Sequence, residues 1–155
     1  MAKSERFRLG VGAVIRRSDG RVLALERSDV SGAWQFVQGG VKVGEDFQDA
    51  LFREVREETG LRRPSFAEVR EVPVLLGYEL PEPARRKKTG RGQVHKWFFL
   101  DYVGDDESIR LQQDGEFSRF RWDTIETIAR RVVSFRRPVY DELARWASAL
   151  PPPKT

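Results

Sequence analysis

The chain has 155 residues, 39% hydrophobic and 34% charged, with 28 Lys and Arg against 24 Asp and Glu for a net charge of +4. That length suits a single domain with a real core, and the polar balance suits a soluble globular protein. The absence of cysteine excludes disulfides and thiolate chemistry and fits the cytoplasm, while the N-terminal apolar stretch, interrupted by Gly10 and Gly12, reads as neither a signal peptide nor a membrane span.

Residues 7–15 read as a strand, 16–20 as a hairpin turn with Asp19 and Gly20 at its tip, and 21–26 as the return strand. After a loop at 28–32, residues 34–37 form a short extended segment. It delivers the chain to Gln38, Gly39 and Gly40, which open a glycine-rich loop running to Gly44. Asp46 can cap a helix that runs to Thr59 and stops at Gly60, with Leu61 making the apolar contact that often follows a glycine stop. Pro64 breaks regularity, and residues 66–78 are mostly extended, with Pro73 marking an edge or a bulge. Residues 80–93, rich in Pro, Gly, Arg and Lys, read as a long mobile loop, of a length more often functional than ornamental. A strand follows at 94–103, with the apolar block Trp97, Phe98, Phe99 and Leu100; residues 101–117 read as polar and irregular. The last strand is at 120–122, Asp123 is expected to cap a helix to about Ala129, and Ser134 to cap the final helix. That helix keeps Val139, Leu143, Trp146 and Leu150 at helical spacing and ends before three prolines. Strands interspersed with helices give an α/β class, expected as one domain over residues 1–150 with a Pro-rich tail at 151–155.

The helix after the glycine-rich loop carries an anomaly. Phe47, Ala50 and Leu51 form an apolar stripe, and Glu54, Glu57 and Glu58 continue it. A helix that turns this side inward pushes three carboxylates toward the protein, where like charges are costly unless a cation sits among them. Arg53 and Arg56 point the wrong way to neutralise all three. All-oxygen ligands without Cys or His suit Mg²⁺, with Mn²⁺ able to substitute. Three glutamates on a helix are, taken alone, more often a solvated acidic face; the loop before and the glycine stop after argue otherwise.

The spacing of Gly39, Glu45, Arg53, Glu54, Val55, Glu57, Glu58, Gly60 and Leu61 resembles the signature of the Nudix hydrolases at every defined position. The resemblance implies a mixed sheet sandwiched between helices and hydrolysis of a pyrophosphate bond. It implies metal binding by Glu54, Glu57 and Glu58, with Gly39 near the metal, catalysis by the same three carboxylates, and a Glu45–Arg53 salt bridge tying loop to helix. Further matches, at residues 34–40, 78–81, 92–98, 116–122 and 132–136, resemble the bacterial RNA pyrophosphohydrolases and the asymmetric dinucleoside polyphosphate hydrolases. Val37 stands where that group usually has Pro. In that group a late-loop glutamate joins the metal site, which singles out Glu116; without the resemblance Glu116 reads as one of several solvated acidic residues with Asp105, Asp106, Glu107 and Asp114.

Since the acidic residues concentrate in the helix and in residues 104–116, the rest of the chain is more basic than its total. That favours a polyanionic partner, ordinary solubilising charge being the other reading. Arg8, Arg27, Arg85, Arg86, Lys87, Lys88 and Arg91 are candidates for phosphate contacts, Gln93 and Lys96 match positions at the phosphate chain in the resembled group, and Gln38, opening the glycine-rich loop, is a further substrate-binding candidate. Tyr78 and Phe135 are candidates to stack on a base. Trp97, Phe98, Trp122 and Trp146 read as core, and His95 as a strand residue without catalytic duty. The expected substrate is 5′-triphosphorylated RNA, with dinucleoside polyphosphates as the close rival and a non-catalytic nucleotide or RNA binder as the reading of another class. No membrane partner is expected, and the state is a monomer or homodimer. Arg130, Arg131, Arg136 and Arg137 tilt the choice toward RNA.

Overall fold

The computed structural model describes residues 5–155; residues 1–4 of the expected domain lie outside it. The first hairpin organises the sheet. Strands β1 (Phe7–Arg16) and β2 (Val22–Arg27) pair only at its neck, Arg16 opposite Val22, and then diverge. Beyond the neck β1 runs parallel to β6 (Gly92–Tyr102) along its full length and antiparallel to β4 (Val37–Gly40). β2 takes β3 (Trp34–Gln35) on one side and β7 (Phe117–Asp123) on the other. β5 (Phe66–Glu79) closes the far edge against β6.

Because successive strand residues point to opposite faces, the central strands are apolar on both, as a sheet covered twice requires. Val11, Ala13 and Ile15 join Phe98 and Leu100 under α1 (Phe47–Thr59), with Ala50, Leu51 and Val55 of that helix. On the other face Val14, Trp97 and Phe99 pack with Tyr140 and Leu143 of α3 (Arg137–Ala149) and Ile125 and Ile128 of α2 (Ile125–Arg131). The mixed sheet sandwiched between helices is thus present, and among the described residues no helix is long and apolar enough to cross a membrane.

Several local expectations change. Gln38, Gly39 and Gly40 lie on a paired strand, not in a loop; four register pairs with β1 hold the glycines extended despite their weak strand preference. Pro73 does sit at an edge-strand irregularity, between Glu71 and Leu75. The expected loop at 80–93 is shorter, because β5 runs to Glu79 and β6 starts at Gly92. Hydrogen bonds from the Leu80 amide to the Arg91 carbonyl (2.9 Å), from Gly90 to Arg86 (2.7 Å) and from Arg91 to Arg6 (3.0 Å) pin what remains. Asp101 and Tyr102 belong to β6 and are buried. The cap of α2 is Thr124, whose side chain accepts from the Thr127 amide, because Asp123 is engaged by Arg121 and by the Thr124 amide. Ser134 opens a short 3₁₀ turn, Ser134–Arg136, and α3 starts after it on Arg137 and Pro138 with no side-chain cap. The prolines do not trail away: the Pro151 carbonyl accepts from Arg16 at 3.1 Å and the Lys154 amide donates to Asp101 at 3.1 Å.

Candidate functional site

Helix α1 starts on Asp46, which accepts from the Asp49 amide at 2.8 Å, and ends at Gly60 in the left-handed region at φ 76°. Its buried stripe is Ala50, Leu51, Val55 and Thr59, with Phe47 at the edge, so Glu54 and Glu58 flank the core and Glu57 lies further out. Burial, and then the charges of Glu116 and Glu54, push the Glu58 carboxyl well above its ordinary range; the Gln38 backbone amide acts the other way. One Glu58 oxygen, Oε2, is buried without a hydrogen-bond partner. Burial also raises Glu54, against the opposing pull of Arg53. Glu116, immediately before β7, lines the same cleft.

Arg53 welds loop to helix. Its Nε and Nη2 donate to the two Glu45 carboxylate oxygens at 2.8 and 2.9 Å, and Nη2 also donates to the Gly40 carbonyl at 2.7 Å. The guanidinium holds Glu45 down at about 2. Arg53 reaches further round than its helical position suggests: Nη1 lies 2.7 Å from Glu54 and 3.6 Å from Glu57, while Glu58 has no ion-pair partner among the described residues. Among the described residues no three acidic or histidine side chains converge tightly enough to hold a metal ion as they stand. The donor chemistry nevertheless fits one, since a half-neutralised cluster with an orphaned, buried carboxylate oxygen is stabilised by a divalent cation.

Gly39 and Gly40 serve close approach. A β-carbon on Gly39 would overlap the Glu54 carboxyl group, and one on Gly40 would meet the Arg8 guanidinium. The two glycines thereby bring a carboxylate and a cation against the two sides of one short strand.

Across from the carboxylates the cleft, about 410 Å³, is walled by Arg8, Arg27, Gln38, Gln93 and Arg136, with His95 and Gln35 behind them. Arg8 and Gln93 are register partners on β1 and β6. Arg27 pairs with Asp29 at 2.9 Å and leans toward Glu116 at 3.5 Å, whereas Arg8 and Arg136 have no carboxylate partner among the described residues. His95 is buried, and burial together with the Arg136 and Arg8 charges pushes it down to about 4, so it stays neutral.

The fold thus gathers Gly39, Glu54, Glu57, Glu58 and Glu116 with Arg8, Arg27, Gln38 and Gln93 around one cleft. It does not bring Lys96 there: strand alternation turns Lys96 to the other face, where Nζ meets Glu71 at 2.7 Å. Tyr78 and Phe135 stand behind the wall, packed on each other at 5.4 Å. Arg85 and Arg91 are spent on Glu79 and Glu5, and Arg86 on the Pro83 and Arg85 carbonyls. Arg136, assigned from sequence only to a basic surface, lines the cleft because the 3₁₀ turn swings it inward onto Gln35 (Nη1 to Oε1, 2.8 Å). Its neighbour Arg137 carries the same sequence signal, so only the turn separates them.

Residues 6–143 match the NUDIX domain family. The RNA pyrophosphohydrolase of Rhodospirillum rubrum is 38% identical over 141 residues, covering 88% of this chain and 84% of that protein. Nudix hydrolase 26, chloroplastic, of Arabidopsis thaliana is 35% identical over 149 residues, covering 90% and 68%. Among solved structures, the E. coli dihydroneopterin triphosphate pyrophosphohydrolase superposes with a TM-score of 0.71 at 22% identity, over 90% of this chain and 97% of that one.

Proposed function

The chain belongs to the Nudix hydrolase family, and on that premise we propose that it removes pyrophosphate from the 5′ end of triphosphorylated RNA, using a divalent cation, Mg²⁺ or Mn²⁺. The supporting observation is the two-walled cleft: four carboxylates on one side and, on the other, Arg8 and Arg136, which have no acidic partner among the described residues. A polyanion alone would be repelled by the first wall, and a cation alone by the second, so the pair suits a polyphosphate carried with its metal. The relatives named RNA pyrophosphohydrolase, at 38% identity over most of both chains, support the RNA end as substrate.

In this reading Glu54, Glu57, Glu58 and Glu116, with the Gly39 backbone, would hold the cation. A bound divalent ion supplies neutralisation of phosphate charge and activation of water. Arg8, Arg27, Gln93 and Arg136 hold the phosphate chain, as N–H donors suit phosphate oxygens. Water adds to phosphorus and the bond to the pyrophosphate leaving group breaks, leaving a 5′ monophosphate. The carboxylates share the tasks of binding the ion and orienting water. The protein works in the cytoplasm as a monomer or homodimer.

Hydrolysis of dinucleoside polyphosphates is the second reading, and one observation favours it. Of Arg130, Arg131, Arg136 and Arg137, the arginines that tilt the choice toward RNA, Arg136 alone is among the described residues lining the cleft, while the phosphate-contact candidates Arg85 and Arg91 are each paired with a carboxylate. A competition assay with Mg²⁺, offering triphosphorylated RNA and diadenosine tetraphosphate together, separates the two. Preferential release of pyrophosphate from RNA is expected; a strong preference for the dinucleotide overturns the first reading.

A further inference from the structure

Tyr78 is buried, 7% exposed, and its ring is held between His95 at 5.9 Å and Phe135 at 5.4 Å. A ring so placed has little face left for a base. Its hydroxyl, however, is the meeting point of three residues of the cleft wall, drawn from three separate elements. Gln93 Oε1 on β6 lies at 2.6 Å, Gln38 Nε2 on β4 at 3.3 Å, and Arg136 Nε in the turn before α3 at 3.2 Å.

A phenol has one hydrogen to give and lone pairs to receive, so with the Gln38 and Gln93 amides oriented as they are in the structure these contacts run one way. The shortest goes to the one acceptor present, and the Tyr78 hydroxyl donates to Gln93 Oε1. Gln38 and Arg136 then donate into the phenol oxygen. Two consequences reach the cleft. Gln93 has its carbonyl turned back toward Tyr78, so its amide nitrogen is the end left for the cleft. Arg136, fixed at Nε by Tyr78 and at Nη1 by Gln35, keeps Nη2 for a ligand.

We propose that Tyr78 is a positioning residue that sets the polarity of the phosphate wall: through its hydroxyl it turns the Gln93 amide and the Arg136 guanidinium so that they present N–H donors to the polyphosphate. The proposal rests on the reading that the cleft takes a polyphosphate chain, and it concerns substrate binding rather than the carboxylate cluster. The alternative assigned from sequence, that Tyr78 stacks on a base, needs the ring and not the hydroxyl.

Tyr78→Phe separates them because it keeps the ring and deletes the oxygen. With triphosphorylated RNA under Mg²⁺, the variant is expected to raise KM about tenfold while kcat stays within about twofold, as loss of ground-state donors predicts. In a double-mutant cycle with Gln93→Leu the two penalties should fail to add, since both remove the same oriented donor. Unchanged KM in Tyr78→Phe, or fully additive penalties, overturns the proposal. Side-chain amide NMR of the wild-type protein gives a second readout independent of turnover and of how well the variant folds. One resolved Gln93 amide pair that shifts on adding inorganic tripolyphosphate supports it; an averaged, unresponsive pair overturns it. Should wild type bind tripolyphosphate yet cleave neither RNA nor dinucleotide, the proposed reaction fails while the positioning role stands.

Discussion

Replacing Glu58 with glutamine removes a charge that its surroundings oppose, and the sign of the effect follows from linkage. The folded state holds the Glu58 proton more tightly than the unfolded state, whose carboxyl titrates near the ordinary 4.5. Its contribution to stability is therefore full below that value and is lost as pH rises through the raised folded value. In chelator at neutral pH, Glu58→Gln is expected to melt above wild type, with the gap closing as pH falls toward 4.5. Adding Mn²⁺ should raise the wild-type melting temperature and move the variant less. Parallel melting curves for the two proteins at every pH, with or without the ion, would contradict the assigned conflict. Glu57 is different: its side chain is 46% exposed, so Glu57→Gln should leave the melt unchanged while turnover drops about a hundredfold or more. Circular dichroism beside a pyrophosphate-release assay reads both, and full turnover would contradict the metal-binding role proposed for Glu57.

The element that the sequence described best is α1, because its signals are local. Asp46, Gly60 and the stripe through Ala50 and Leu51 are each decided within one or two turns of helix, and all appear as expected. Gly60→Ala tests the stop. At φ 76° a β-carbon is strained, and it would lie 3.2 Å from the Arg110 β-carbon, next to the 2.7 Å bond from the Arg110 amide to the Thr59 carbonyl. A loss of about 1–2 kcal/mol in urea unfolding is expected, and an unchanged midpoint would mean the turn relaxes freely. The elements misread were those settled by distant partners. A Gln-Gly-Gly run looks like a loop until β1 pairs with it. The choice between Asp123 and Thr124 as cap depends on Arg121, which draws Asp123 away.

At the scale of the whole molecule, Arg16 and Asp101 close the end of the sheet away from the cleft. Both are buried, their pair is made at 2.8 Å, and residues 151–154 complete it through the Pro151 carbonyl and the Lys154 amide. Deleting residues 151–155 strands polar groups on a buried pair and should cost about 1–3 kcal/mol, seen as a lower urea midpoint with kcat unaltered; equal midpoints would show the tail to be dispensable. The same dependence on distance divides what could be read from the chain alone. Sequence by itself determined the α/β class, the family resemblance and the glycine-flanked acidic helix, because each is written in spacings of a few residues whose geometry the backbone imposes; the Glu45–Arg53 weld followed only as what that resemblance implies. Only the tertiary structure decided that Arg136 enters the cleft while Lys96 leaves it, that Tyr78 stands behind the wall, and that Gly39 and Gly40 form a strand. Those outcomes turn on strand alternation, register and a single 3₁₀ turn, which fix where a side chain points only after β1, β4, β5 and β6 have come together.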